Sequence, residues 1–128
     1  MNEFTRLPDT ELEIMKVIWE EGGTLSTSEI KNLLERSRPW NVSALQTLLN
    51  RLISRGFLES HKEGKNRFYR PLVEEKDYLA VENRLFLEKM NNRSLTKLVA
   101  SLYESRSVSE KDLDELAAFI REKTGGGQ

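Results

Sequence analysis

Cysteine is absent from all 128 residues. That excludes disulfides and thiolate metal ligands, and it fits a reducing compartment. Histidine is almost as scarce. His61 stands alone, with nothing beside it to complete a metal site, so neither a metal nor another cofactor is expected. No apolar run approaches the ~20 residues that a membrane span needs. The first residues, MNEFTRLP, lack the apolar stretch of a secretory signal. A cytoplasmic location without stable membrane association is therefore expected. There is no glycine-rich phosphate loop and no readable nucleophile–base pair, so an enzyme is not expected. The early acids Asp9, Glu11 and Glu13 are explained by a helical first turn, where carboxylates favour the dipole. Aromatic residues make up only 8%, and Trp19 and Trp40 read as packing anchors.

Charge, by contrast, is plentiful at 32%, and it is unevenly spread. Between Arg36 and Arg70 lie eight Lys or Arg against Glu59 and Glu63, a net of +6 in a chain whose total is −1. Such a local excess is an electrostatic footprint for a polyanion.

The periodicity predicts a mainly α protein with one small β-hairpin. A first helix is expected over Thr10–Glu21, with a Thr10/Glu13 capping box and an apolar face of Leu12, Met15, Val17, Ile18 and Trp19. Thr24 and Leu25 suggest a very short strand. Ser26 and Glu29 form a second capping box, opening a helix through Glu35. A turn from Arg36 to Trp40 follows, because Pro39 disfavours helix at Arg38. Asn41 or Ser43 then caps a third helix, with Val42, Leu45, Leu48, Leu49, Leu52 and Ile53 as its buried stripe, and Gly56 ends it. Phe57–Ser60 and Arg67–Pro71 read as strands around a Lys62–Asn66 turn. From Glu74 the chain becomes acidic and helical, with helices over Glu75–Met90, Ser94–Glu104 and from Ser109 onward, and a frayed tail over residues 125–128.

The third helix exposes Ser43, Ala44, Gln46, Thr47, Asn50 and Arg51. An ordinary solvated face would hold Glu and Lys. These side chains can instead hydrogen-bond base edges or phosphates, and Ala44 permits close approach or a thymine-methyl contact. No acid occurs from Arg36 to Gly56. Lys62, Lys65 and Arg67 on the hairpin, and Arg38 in the preceding turn, could hold phosphates. A groove-sized helix followed by a basic hairpin is the winged helix-turn-helix arrangement for double-stranded DNA. Residues 1–73 are the expected DNA-binding domain and 74–128 a helical appendage.

The last three helices carry one-sided stripes: Tyr78, Val81, Leu85 and Phe86; then Leu95, Leu98, Val99 and Leu102; then Leu113, Leu116, Ala117 and Ile120. Short helices are marginal alone and must bury such stripes. A second copy would close the core, so a two-fold homodimer through residues 75–123 is expected.

The residues DTELEIMKVIW from Asp9, WNVSALQTLLNRLISRGF from Trp40, VEEKDY from Val73 and SLTKLVASL from Ser94 together resemble the penicillinase and methicillin-resistance repressor family of the BlaI/MecI type. The resemblance covers nearly the whole chain. It implies a winged-helix dimer that represses transcription at inverted-repeat operators, with the three C-terminal helices as the dimerisation domain. Positions matching Ser43, Ala44 and Thr47 would contact bases. Those matching Asn41, Gln46 and Arg51 would lie near bases or backbone. Family members often carry Lys or Arg where Ser43 stands, so the operator does not transfer. Resistance-type members are inactivated by proteolysis at an Asn-Phe bond, which implies a sensor-protease as partner. The matching bond here is Ser101–Leu102, and the Asn-Phe pair is absent. The paired cysteines of the copper-responsive branch are absent too. Two alternatives belong to other classes: a winged helix used as a protein-interaction module, which the +6 segment opposes, and a small-molecule-sensing regulator, for which the helices are too short to enclose a pocket.

Overall fold

The computed structural model describes residues 6–125. Positions 1–5 of the expected signal-free N-terminus and 126–128 of the expected frayed tail lie outside the described residues. The chain forms two compact units, 1–82 and 83–128.

The first unit is a winged helix. Its elements are α1 (Asp9–Glu21), β1 (Leu25–Ser26), α2 (Thr27–Leu34), α3 (Val42–Ser54), β2 (Leu58–Glu63) and β3 (Asn66–Pro71), followed by the start of α4 (Glu75–Asn91). The three strands are antiparallel in the order β1-β3-β2. Ile14, Met15 and Ile18 of α1, Ile30 and Leu34 of α2, and Leu45, Leu49 and Leu52 of α3 close on Phe57, Leu58 and Tyr69 in one core. Each such side chain contributes about 1.5–3 kcal/mol by leaving water.

Several expectations change in detail. The Thr10/Glu13 capping box does not form. Pro8 stands at the N-cap of α1 without a side-chain cap, and its carbonyl accepts the Leu12 N–H at 2.9 Å. The Ser26/Glu29 box does form. Val42, the first residue of α3, is 53% exposed, whereas Leu45, Leu49 and Leu52 are buried. The hairpin turn is shorter than expected: only residues 64–65 lie outside the ladder, and Lys62 pairs with Arg67 within it. Gly64 supplies φ +64° at the first turn position, where a tight hairpin demands it, so the strands pair to their ends.

Tyr78 requires a correction. Expected at a dimer surface, it is fully buried in the first unit. Its ring packs on Trp19 and Phe57 at 5.8 and 5.6 Å, and its hydroxyl accepts the Leu7 N–H at 2.7 Å. An aromatic residue at helical spacing has the same sequence signature whichever core it enters. Burial, reinforced by the neighbouring Glu82 carboxylate, pushes its phenol up to about 12. Raising the pKa of an acid stabilises the fold below pH 10, and the contribution disappears as pH climbs to 12. Tyr78→Phe is expected to remove about 2–3 kcal/mol of stability change across that alkaline window, read from urea midpoints of both proteins at matched pH.

The second unit contains the rest of α4, α5 (Leu95–Glu104) and α6 (Glu110–Lys123). Ser94 caps α5, and a Ser109/Asp112 capping box opens α6. No residue of α5 or α6 is fully buried.

Candidate nucleic-acid interface

The orientation of α3 is set at both ends. Asn41 Oδ1 accepts the Ala44 N–H at 3.0 Å, which makes Asn41 the N-cap and spends its acceptor on the helix itself. At the other end Phe57 N–H reaches Leu52 O at 2.9 Å and Gly56 N–H reaches Ile53 O at 3.0 Å. This paired closure needs a left-handed residue, and Gly56 provides φ +84°. The chain thus passes directly from α3 into β2, and the hairpin is tied to the helix.

The exposed face of α3 holds Ser43, Ala44, Thr47, Asn50 and Arg51, with Gln46 half-buried at its flank. Thr47 donates its hydroxyl to Ser43 O at 3.1 Å, so it offers a methyl group and an acceptor outward. Gln46 donates to Tyr69 Oη at 3.0 Å and lies 3.3 Å from Asn50 Oδ1. Val42, assigned to the core by periodicity, joins this exposed face as an apolar contact point. Its position at the first helical turn was the only sequence signal that could have revealed it.

The basic residues divide into paired and unpaired sets. Arg38 Nη2 meets Glu13 at 2.8 Å, and its guanidinium stacks 4.3 Å over the Trp40 ring. It braces the turn between α2 and α3. Arg55 Nε lies 2.9 Å from Glu11, whose side chain is 1% exposed, without hydrogen-bond alignment. Arg70 is held by Glu59 across the hairpin. Arg67 donates to Ser60 Oγ at 2.9 Å. Arg36, Arg51, Lys62 and Lys65 form no ion pair among the described residues. Lys31 donates to the Glu35 carboxylate at 2.7 Å, a bond that lowers the pKa of that carboxyl.

At the hairpin, Lys62 and Arg67 stand directly opposite in the ladder. Like charges so placed destabilise a sheet, and a polyanion would relieve that repulsion. His61 stacks on Phe68 at 5.7 Å and contacts Glu63 at 3.2 Å. No His/Cys/Asp/Glu group suited to a metal ion is found among the described residues, and no described helix is long and apolar enough to cross a membrane.

In the second unit, Val81 falls outside, on the first-unit part of α4, and is half-buried. Leu85, Leu95 and Ile120 are exposed, whereas Leu98, Val99, Leu102, Leu113 and Leu116 are half-buried. Leu95, Val99, Tyr103, Leu113, Leu116 and Ile120 line an apolar groove of about 340 Å³ between α5 and α6. Ser101 is exposed and, with Leu102, lies inside α5.

A family model described as penicillinase repressor matches residues 7–122. The penicillinase repressor of Bacillus licheniformis is 34% identical over 122 residues, 95% of this chain and 94% of that protein. The solution structure of the DNA-binding domain of the repressor BlaI is 40% identical, covering 61% of this chain and 94% of that one, with a TM-score of 0.53. The monomeric form of Bacillus licheniformis BlaI in complex with the blaP half-operator shares the same identity and coverage, with a TM-score of 0.51. The winged helix, its exposed α3 and the match along nearly the whole length agree: the chain belongs to the penicillinase repressor family.

Proposed function

We propose that this protein is a cytoplasmic, non-enzymatic transcriptional repressor that binds inverted-repeat operators as a homodimer. The observation that carries the reading is the polar, acid-free exposed face of α3 beside a hairpin with unpaired Lys62 and Lys65. In this reading residues 1–73, completed by Tyr78 at the start of α4, are the DNA-binding domain, and the part of the chain beyond residue 82 supplies the dimer contacts.

Each α3 enters a major groove with its N-terminal half leading. Ser43, Ala44 and Thr47 face base edges there, and exposed Val42 adds an apolar surface for a thymine methyl. Arg36, Arg51, Lys62 and Lys65 hold phosphates, which fix register rather than read sequence. Arg38 supports the α2–α3 turn through Glu13 and Trp40, and Arg67 steadies the hairpin while adding to its field. Two α3 helices related by the dimer axis meet half-sites about one helical turn, or a multiple of it, apart.

The α5–α6 groove supports dimerisation, because two helices without a single buried residue gain their core from a second copy. Whatever loosens α5 would release the operator. Cleavage at Ser101–Leu102 by a sensor-protease would do so after local unfolding, since the bond is helical.

Two substitutions separate reading from positioning. Thr47→Ala is expected to cost about 1–3 kcal/mol at the operator and to relax discrimination there. Lys65→Ala should weaken every duplex alike and lower the salt slope by about one unit. Equal losses for both variants on operator and random duplex would refute this division of labour.

A further inference from the structure

Tyr69 is fully buried on β3, opposite Leu25 of β1 on one side and Ser60 of β2 on the other. A buried phenol needs a partner for its hydroxyl. Here the partner is Gln46 of α3, whose Nε2 lies 3.0 Å away, and the same Nε2 lies 3.3 Å from Asn50 Oδ1 one turn along. A polar relay thus runs from the core of the sheet, through a half-buried amide, to an exposed amide on the face of α3.

We propose that Gln46 is a positioning residue, not a base reader: anchored by Tyr69, it holds the Asn50 carboxamide in one orientation, and Asn50 is the relay's contact with DNA. The proposal rests on the DNA-binding reading above. Its physical basis is that both amide hydrogens of Gln46 have protein acceptors, so only its carbonyl remains for another partner. An unanchored Asn50 would have several rotamers to give up on binding. Ordering one such side chain beforehand improves affinity by about threefold to tenfold.

The experiment uses the full chain. Tyr69→Phe keeps the ring and removes the anchor, Gln46→Met keeps the length and removes the amide, and Asn50→Ala removes the presented group. In the free protein, side-chain amide NMR is expected to show Asn50 dispersed and rigid, and mobile in both Tyr69→Phe and Gln46→Met. Unchanged Asn50 resonances in those variants would overturn the relay, whether or not any duplex is recognised. On duplex from the chain's own upstream promoter, Tyr69→Phe and Gln46→Met should each lose about threefold to tenfold. Their double variant should lose no more, Asn50→Ala should lose at least as much as either, and Tyr69→Phe should add little to Asn50→Ala. Random duplex should bind all variants like the parent. A Gln46→Met loss confined to one operator base pair, with Tyr69→Phe unaffected, would make Gln46 a base reader and overturn the proposal. If the parent shows no promoter preference, the sequence-reading role of α3 fails, and the NMR comparison still decides the relay.

Discussion

Replacing Leu95 and Ile120 together with glutamate is expected to leave a monomer and to cost at least about 100-fold in affinity for a two-half-site operator. Leu95 is 56% and Ile120 46% exposed, so neither substitution opens a cavity within one chain. Both residues line the α5–α6 groove. A carboxylate facing its equivalent, or an apolar stripe, across a two-fold axis meets a desolvation cost and no counter-charge. The large effect on DNA needs no damage to α3. Two linked half-site contacts multiply, and a monomer keeps only one. Equilibrium sedimentation of the variant should therefore show one chain mass at micromolar concentration, while a single half-site binds as it does to the parent. A variant that remains dimeric would place the interface elsewhere. A monomeric variant with undiminished full-operator affinity would remove dimerisation from the mechanism.

The second large effect concerns the buried carboxylate of Glu11. Arg55→Ala is expected to destabilise the first unit by about 3 kcal/mol, near the lower end for an ion left buried and unpaired. Glu11→Gln should cost less, because the remaining Arg55 side chain is 33% exposed and can rehydrate. Replacing both with methionine should recover most of the loss, since no charge is then stranded. Urea unfolding of the four proteins reads all of this. Glu11→Gln proving worse than Arg55→Ala would contradict the asymmetry that the burial implies. The pair joins the first turn of α1 to the end of α3.

The same pair marks the limit of what the residues alone disclosed. Local devices were mostly readable: the Ser26/Glu29 capping box, the helix start at Ser109, the Gly56 stop and the Leu45, Leu49 and Leu52 stripe all depend on neighbours within one or two turns, although Pro8 displaced the expected Thr10/Glu13 box. Glu11 and Glu13 looked like first-turn acids because that explanation is complete without any distant partner. Only packing α1 against α3 and the preceding turn brings Arg55 and Arg38 to them. Hence two of the eight cations between Arg36 and Arg70 are neutralised by acids outside that stretch, which a count of local charge could not anticipate. Tyr78 and Val42 failed for a related reason. Periodicity identifies an apolar face but not what covers it, and here the first unit covers Tyr78 while nothing covers Val42. Gln46 belonged to the right face, yet its bond to Tyr69 depends on the register of β3 beside α3. Lys62 was read as a turn residue, although a two-residue turn at Gly64 places it in the ladder against Arg67.

The most direct test of a dimeric, sequence-reading repressor is fluorescence anisotropy with duplex from the chain's own upstream promoter and with a scrambled duplex, each at two salt concentrations. The expected result is a preference of about 1000-fold or more for the promoter, with two protomers bound per duplex. Equal affinity for both sequences, falling steeply with salt, would contradict it and reduce the exposed face of α3 to a nonspecific phosphate contact.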